Sequence, residues 1–317
     1  MALDVGDGRE LWRVPLPHPE RPEDEPRESP LSTPTAIGER VFAIHPSGLL
    51  FALDAADGSH LWSHDLAREF GAVPPSYGMS TSPVLVDGRL FVLAGGREGH
   101  NLIAFDPATG EVLTSGGPAT QGSYATPVIG VVAGKRQLVV PAANSLYAVG
   151  SDGGDALWSH AGLPYPDRAP LLLEAGHVFI PFQEFGAMLE VTESGDVREL
   201  WRSEGLRNSY SPAVHHAGAI YGFGGPRLMC LDVASGETLW QHRLGEGSLV
   251  RVDDHLIVSS SMGGGLTLVA ASPDGYREKA ALEVFPSGGS SFTPPSFGAG
   301  RIFLRGAKEI AAIRLGR

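Results

Sequence analysis

Leu53-Asp54-Ala55-Ala56-Asp57-Gly58-Ser59-His60-Leu61-Trp62 recurs in altered form as Leu231-Asp232-Val233-Ala234-Ser235-Gly236-Glu237-Thr238-Leu239-Trp240, and both copies place Asp, Gly and Trp four residues apart. The same spacing recurs at Asp4-Gly8-Trp12, and less complete copies occur at Asp106-Gly110-Thr114, Gly150-Gly154-Trp158, Gly195-Trp201 and Gly275-Lys279. In two of them, Thr114 and Lys279 stand in the Trp place. Repetition of one short pattern along a chain indicates an array of similar structural units.

Short runs of alternating apolar residues lie between these turns, as in Arg40-Val41-Phe42-Ala43-Ile44. Such runs, bounded by Gly, Pro and Asp, are typical of short β-strands. The predicted first strand of each unit begins roughly every 40 to 50 residues, which is the period of four-stranded propeller blades. The sequence therefore predicts an all-β fold, a seven-bladed β-propeller of four-stranded antiparallel blades.

The whole chain, residues 1–317, is predicted to form a single domain. Its predicted blades cover residues 32–62, 81–114, 125–158, 168–201, 210–240, 248–280 and 292–317. The chain begins inside a turn-and-Trp unit, and the last blade lacks such a unit. Residues 1–12 are therefore expected to supply the outermost strand of the last blade and so to close the ring, which would leave no large open sheet edge.

The Asp-x-x-x-Gly-x-x-Leu-Trp pattern at residues 54–62 and 232–240 resembles the repeat of the PQQ-like, or quinoprotein-type, β-propellers. That family includes PQQ-dependent alcohol dehydrogenases, the propeller lipoprotein of outer-membrane β-barrel assembly, and sensor domains of some bacterial kinases. The resemblance implies the propeller fold, and it implies that the five tryptophans pack neighbouring blades together. It implies little about function, because propellers carry many unrelated activities.

Composition and charge exclude several classes of protein. The formal net charge of −12 argues against nucleic-acid binding, which requires a clustered basic face. There is no run of apolar residues long enough for a membrane span, and the first residues lack the features of a signal peptide. We therefore expect no membrane insertion and a cytoplasmic location, or a periplasmic or secreted one if a signal peptide has been removed. The single cysteine, Cys230, is expected to be buried. The protein is expected to be a monomer.

The two faces of the predicted propeller differ in the length of their loops. One face carries short turns such as Val86-Asp87-Gly88-Arg89, whereas the other carries the long stretches 13–32, 63–80, 114–125, 159–168 and 281–292. Because binding residues concentrate on such loops, we expect a pocket for a small organic ligand at the channel mouth on the long-loop face. The residues expected to line it are His45, Tyr77, Arg97, Glu98, Tyr124, Asn144, Arg168, Gln183, Glu184, Asn208, Arg227, Phe292 and Arg305.

One hypothesis is a cofactor-independent enzyme, a lyase, isomerase or cyclase, that orients a substrate at this mouth. Tyr210 and His100 are the candidate acid and base groups. Arg97 and Arg227 are the candidates for holding a carboxylate or enolate oxygen. These assignments follow from loop position and side-chain chemistry, since no spacing motif supports them.

No cofactor and no metal are expected. His215 and His216 are adjacent strand residues that point to opposite sides of a sheet, so they make a poor metal pair. Gly263-Gly264-Gly265 is not followed by the Gly-Lys-Ser/Thr ending of a phosphate-binding loop. The dehydrogenases that the repeat resembles use eight blades, adjacent cysteines over the quinone and a calcium-binding carboxylate set, and this chain has only Cys230.

Two alternatives to the enzyme hypothesis remain open. The chain could be a non-catalytic propeller that binds a protein partner, as the resemblance to the assembly lipoprotein implies. It could also be a ligand sensor, as in the kinase-linked propellers. A deep mouth lined by polar groups would favour a small-molecule ligand, whereas an exposed apolar surface would favour a protein partner.

Overall fold

The computed structural model describes residues 1–16, 32–142, 144–164, 168–207, 211–261, 264–285, 293–306 and 309–314. Over these residues the secondary structure is almost entirely β-strand. The fold is a seven-bladed β-propeller of four-stranded antiparallel sheets, which confirms the predicted fold class.

Residues Met1–Gly176 and Val191–Val197 form one compact unit. Its strands are β1 (Ala2–Leu3), β2 (Glu10–Trp12), β3 (Thr35–Ile37), β4 (Arg40–Ile44), β5 (Leu49–Asp54), β6 (His60–Asp65), β7 (Val84–Val86), β8 (Arg89–Leu93), β9 (Leu102–Phe105), β10 (Val112–Gly116), β11 (Val128–Val132), β12 (Lys135–Ala142), β13 (Ser145–Gly150), β14 (Ala156–Ala161) and β15 (Leu171–Leu172). A short helix α1 (Leu66–Phe70) follows β6, and a 3₁₀ turn (Glu174–Gly176) follows β15.

Residues His177–Glu190 and Arg198–Arg317 form the second compact unit. The remaining strands are β16 (His177–Pro181), β17 (Gly186–Val191), β18 (Val197–Ser203), β19 (Val214–His216), β20 (Ala219–Gly224), β21 (Arg227–Asp232), β22 (Thr238–Arg243), β23 (Gly247–Val252), β24 (His255–Ser260), β25 (Gly265–Ala270), β26 (Glu278–Glu283), β27 (Ser296–Gly298), β28 (Arg301–Arg305) and β29 (Ile310–Arg314).

Each sheet is a meander in chain order, and we number the blades accordingly. Blades 1 to 6 are the four-stranded sheets β3–β6, β7–β10, β11–β14, β15–β18, β19–β22 and β23–β26. In the described residues blade 7 has three strands, β27–β29, and β1 pairs with β2 as a separate hairpin. Closure of the ring by residues 1–12, and a single domain over the whole chain, stay predictions.

In six of the blades the first two strands are joined by tight two-residue turns, whereas residues 173–176 lie between β15 and β16 in blade 4. In blade 2 the turn residues Asp87 and Gly88 have positive φ angles of 46° and 79°. Hairpin turns of this type require positive φ at both central residues, which explains the Asp-Gly pair. In those six blades the structure therefore agrees with the predicted minimal turns.

The core lies where consecutive blades pack face to face. Phe42 and Leu50 of blade 1 share one buried cluster with Leu90 and Phe105 of blade 2. Blades 2 and 3 share a second cluster in the same unit, and blades 5 and 6 share another in the second unit. Blade 2 thus buries both of its faces, one against blade 1 and the other against blade 3.

The repeat tryptophans join one blade to the next. Trp62 lies opposite Ala52 in the β5–β6 register, and its Nε1 donates to the carbonyl oxygen of Pro107 in blade 2 at 3.3 Å. Trp12, Trp201 and Trp240 make equivalent bonds to the carbonyl oxygens of Ala55, Val233 and Ser272 at 2.9, 3.0 and 2.8 Å. An apolar ring with one polar group suits this position, because the ring is partly buried while its N–H is satisfied.

Three positions depart from this arrangement. Trp158 donates to Gln137 Oε1 within its own blade at 2.6 Å. Thr114 lies opposite Ala104, so it occupies the Trp position of blade 2 as predicted.

In blade 6 the register places Ala280 opposite Leu268, so Ala280 holds the Trp position and the prediction of Lys279 is wrong by one residue. The longer turn before β26 explains the shift, since Ala270 N–H bonds to Arg277 O there, whereas Asp54 N–H bonds to Ser59 O in blade 1.

Candidate functional site

Helix α1 stands at the start of the long stretch 63–80. Its N-cap is Asp65, whose side chain accepts from the Arg68 N–H at 3.0 Å, while the Glu69 carboxylate accepts from the Asp65 N–H at 2.8 Å. Reciprocal bonds of this kind define a helix start. Gly71, with φ of 70°, ends the helix in the left-handed conformation that glycine favours. The chain then enters residues 71–79, which we name the tyrosine loop.

The tyrosine loop is held on both sides by backbone hydrogen bonds. Val73 accepts from the Gly122 N–H at 2.9 Å, and its own N–H donates to Gly95 O at 3.3 Å. At the other end, Met79 N–H donates to Pro46 O at 2.8 Å. The loop is therefore fixed between two neighbouring segments, although it lies outside the sheets.

Two predicted site residues meet where this loop contacts a distant segment of the chain. The Tyr77 N–H donates to the Tyr124 hydroxyl at 3.2 Å, and the two ring centroids are 6.3 Å apart. Tyr77 is 81% exposed and Val73, on the same loop, is 55% exposed, whereas Tyr124 is half-buried. We name Val73, Tyr77 and Tyr124 the tyrosine-loop surface. It presents aromatic and aliphatic groups to solvent on a fixed backbone.

Arg97, Glu98 and His100 lie in the neighbouring loop of the same unit. The Arg97 N–H donates to the carbonyl oxygen of Phe70, and the Arg97 side chain lies over Gly71, where a β-carbon would be 2.6 Å from Nε. Glu98 is exposed. The His100 ring contacts the Phe70 ring edge-on at 5.7 Å between centroids, and its Nδ1 is buried without a hydrogen-bond partner in the described structure. This apolar contact suits packing, and an acid or base role for His100 stays a prediction.

The other predicted residues of this unit have separate environments. His45 Nδ1 lies 2.7 Å from Ser47 Oγ in the turn that holds Met79. Asn144 is exposed, and its carbonyl oxygen accepts from the Leu163 N–H at 3.1 Å. Arg168 is only 6% exposed. Of the described site residues of this unit, the structure thus brings His45, Tyr77, Arg97, His100 and Tyr124 into one connected set of loops.

The second unit holds the remaining candidates. Gln183 and Glu184 are exposed in the β16–β17 turn, and Arg227 is exposed at the start of β21. Arg305 is half-buried at the end of β28, where it lines a small cavity of about 10 Å³. Tyr210, Asn208 and Phe292 lie outside the described residues, so the paired acid–base roles of Tyr210 and His100 stay predictions.

Sequence reasoning missed a groove between blades 2 and 3. It has a volume of about 790 Å³, and the residues that line it include Thr114, Gly117, Tyr147, Val149, Asp155 and Ala161. Its position follows from the Trp pattern, because Thr114 stands where other blades carry an indole ring. The sequence shows that Thr114 replaces a tryptophan of the repeat. It does not show that open space lies beside Thr114.

The recurring histidines after the repeat tryptophans make contacts between blades. His64 Nε2 lies 2.8 Å from the carbonyl oxygen of Gly110, and the His242 ring stacks on Tyr276 with centroids 3.7 Å apart. Both contacts reach the turn of the following blade. Within the described ranges, no group of three His, Cys, Asp or Glu residues is arranged to hold a metal ion.

These sheets and loops define a β-propeller of the PQQ-like class, which confirms the predicted resemblance. The chain belongs to the family described as outer membrane protein assembly factor BamB, whose model matches residues 1–272. A comparison with curated proteins found no match. None of the helices in the described parts of the chain is long and apolar enough to cross a membrane.

Solved structures of similar fold have low sequence identity. BamB from Moraxella catarrhalis is 17% identical, with a TM-score of 0.65 over 87% of this chain and 81% of that one. The computationally designed Ika8 protein is 14% identical, with a TM-score of 0.58 over 91% of this chain and 97% of that one. A europium-containing methanol dehydrogenase is 13% identical, with a TM-score of 0.61 over 86% and 72%. At such identities the similarity shows the fold alone.

Proposed function

We propose that this chain is a non-catalytic propeller that binds a protein partner through the tyrosine-loop surface. The observation that carries the proposal is the exposure of Tyr77, 81%, on a loop fixed by hydrogen bonds at both ends. Membership of a family described as an assembly factor supports the same class of function. This is the protein-binding alternative that the sequence left open.

The chemistry of the surface suits a protein interface. Tyrosine is enriched among the residues that contribute most to binding energy, because it buries a large ring at a small cost in side-chain entropy. The hydrogen bond from the Tyr77 N–H to the Tyr124 hydroxyl orders the backbone before any partner arrives. A pre-ordered loop lowers the entropic cost of association.

The enzyme hypothesis has weaker support. The Arg97 side chain lies over Gly71, and the Arg97 N–H donates to the carbonyl oxygen of Phe70. The His100 ring packs against the Phe70 ring. A lyase, isomerase or cyclase activity and a small organic ligand therefore stay predictions. The sensor role and the cytoplasmic location also stay predictions. Incubation of the purified protein with small-molecule extract would detect such an activity as a change in the mass of a compound.

Affinity purification of the tagged protein from cells that encode it, with quantitative mass spectrometry, tests the proposed function. We expect a partner that is enriched with the unmodified chain and reduced at least tenfold by Tyr77→Asp. Val131→Asp is the matched control, because Val131 is 61% exposed on β11 and lies outside the tyrosine-loop surface. A partner retained equally by both variants, or no enriched partner, would contradict the proposal, provided that both variants keep the circular dichroism spectrum of the unmodified chain.

A further inference from the structure

Two arginines lie directly opposite each other at one end of blade 5. Arg227 begins β21, Arg243 ends β22, and the strand register pairs the two residues. Residues paired in this way share one face of a sheet, with their β-carbons about 4.5–5.5 Å apart. Both side chains are exposed. Arg227 was predicted from the sequence to hold a carboxylate or enolate oxygen, and the structure places a second arginine beside it.

No carboxylate of the described residues neutralises this pair, since neither guanidinium lies within ion-pair distance of an Asp or Glu there. On the neighbouring segment, the Glu204 carboxylate is already paired with Arg207, whose Nη1 is 3.0 Å from Oε2. Glu246 is exposed in the loop after β22 and makes no ion pair with Arg243. Like charges directly opposite each other destabilise a sheet, and an anion between them would relieve the repulsion.

The corresponding positions of other blades show that the fold does not require this pair. In blades 1, 3 and 6 the residues at the same register are Leu49 and Asp65, Ser145 and Ala161, and Gly265 and Glu283. None of these three pairs contains a basic residue, and two of them have an acid in the place of Arg243. Packing of the blade therefore does not account for two arginines at this end of blade 5.

The backbone beneath the pair is fixed by hydrogen bonds. The carbonyl oxygen of Pro226 accepts from the Leu244 N–H at 3.2 Å and from the Gly245 N–H at 3.1 Å. The Gly225 N–H donates to the carbonyl oxygen of Arg207 at 3.1 Å. Because both strand ends are held in place, only the two side chains have to be ordered when an anion binds, which lowers the entropic cost of association.

We propose that Arg227 and Arg243 bind the carboxylates of an acidic segment of a partner protein. A planar guanidinium donates two parallel hydrogen bonds to one carboxylate, so two adjacent arginines match two adjacent acidic side chains. Arginine clusters recognise acidic motifs in other protein interfaces by the same chemistry. The pair lies in the second compact unit and shares no residue with the tyrosine-loop surface, so this inference does not depend on the function proposed above.

The net charge of the chain favours a short acidic segment over an extended polyanion. The formal charge is −12, so a nucleic acid or an anionic membrane would be repelled by the protein as a whole. A short segment with two carboxylates needs only the local field of Arg227 and Arg243. Saturable binding of an acidic peptide to so acidic a protein would therefore indicate a local basic site.

Fluorescence anisotropy with the labelled peptide Gly-Ser-Asp-Glu-Ser-Gly, its termini blocked, tests the proposal. We expect saturable binding to the unmodified chain, and binding at least tenfold weaker for the peptide with Asn-Gln in place of Asp-Glu. Added sodium chloride should weaken binding of the acidic peptide, because salt screens an exposed ion pair.

Arg243→Glu should weaken binding of the acidic peptide at least tenfold. This variant should fold, because Glu283 occupies the same register position in blade 6. Arg251→Glu is the matched control, since Arg251 is exposed on β23 and the variant changes the net charge by the same amount. It should bind the peptide within twofold of the unmodified chain. Arg227→Gln should weaken binding at least fivefold, and it tests the proposal if Arg243→Glu loses the circular dichroism spectrum of the unmodified chain.

Two results would overturn the site itself. These are equal weakening by Arg243→Glu and Arg251→Glu, which would mean that only the overall charge matters, and no saturation at millimolar peptide. Displacement of the peptide by inorganic phosphate at matched ionic strength, below the concentration at which the peptide half-saturates the protein, would assign the pair to a phosphate group and overturn the acidic-segment assignment.

Discussion

The indole ring of Trp62 lies directly against Gly110 of the following blade. A β-carbon at Gly110 would be 2.8 Å from the ring atom Cδ2, which is closer than real β-carbon contacts. Gly110 also has a φ of 79°, a conformation that other residues adopt only with strain. The glycine of the repeat therefore serves two purposes, since it makes the turn and leaves room for the tryptophan of the blade before it.

Gly110→Ala should therefore destabilise the protein by about 2–4 kcal/mol, the sum of backbone strain and overpacking. Gly88→Ala is the control, because Gly88 has the same φ of 79° and a β-carbon there would meet no atom within 4 Å, so only the strain of about 1 kcal/mol applies. Urea denaturation, monitored by tryptophan fluorescence, gives the loss in the free energy of unfolding for each variant. Equal losses for the two variants would contradict the close packing described for Trp62.

Thr114→Trp should stabilise the protein by about 1–2 kcal/mol, because the added ring buries apolar surface in the groove between blades 2 and 3. Thr114→Val adds no ring and should change stability by less than about 0.5 kcal/mol. Differential scanning calorimetry compares the three proteins. A lower melting temperature for Thr114→Trp would mean that Phe91 and Tyr147 leave too little room for an indole.

Tyr147→Phe should cost about 1–3 kcal/mol. The Tyr147 hydroxyl donates to Asn101 Oδ1 at 2.7 Å, and both residues are buried, so the variant leaves an amide oxygen unpaired. Tyr77→Phe removes a hydroxyl from an exposed ring and should change stability by less than about 0.5 kcal/mol. The urea midpoint of Tyr147→Phe should therefore be lower than that of Tyr77→Phe. A loss in Tyr77→Phe as large as that in Tyr147→Phe would contradict this account.

Cys230 should resist alkylation in the folded protein. The thiol is fully buried, and burial raises the pKa of Cys230 to about 12. Because the thiolate is the reactive form, iodoacetamide at pH 8 should label the native chain at least 100-fold more slowly than the chain in urea. Mass spectrometry of samples quenched over time measures both rates. Comparable rates would show that blade 5 opens readily at β21.

The repeat pattern predicted the propeller because each element of the pattern has a geometric role. The Asp side chain at residue 54 accepts from the Ala56 N–H, Gly58 adopts a positive φ, and Trp62 reaches the following blade. Such local roles depend on a few adjacent residues, so they can be predicted from the sequence. The error at Lys279 arose because the longer turn before β26 changed the count from Gly275 to the Trp position.

The candidate site was less predictable because it depends on contacts between distant segments. Tyr77 and Tyr124 were both predicted to lie on the long-loop face, but their contact spans 47 residues and no local pattern encodes it. Val73 was missed, since a valine in a loop gives no signal of exposure. The groove was missed because Thr114 indicates a lost tryptophan, whereas the open space depends on where Phe91 and Tyr147 place their rings.

Photocrosslinking in living cells tests the proposed protein interface most directly. The residue at position 77 is replaced by p-benzoylphenylalanine, which resembles tyrosine in shape, and position 131 carries the same group in a control. The account predicts a discrete crosslinked adduct from position 77 that mass spectrometry identifies as one partner protein, and no such adduct from position 131. The absence of a discrete adduct at position 77, or the same adduct from both positions, would contradict it.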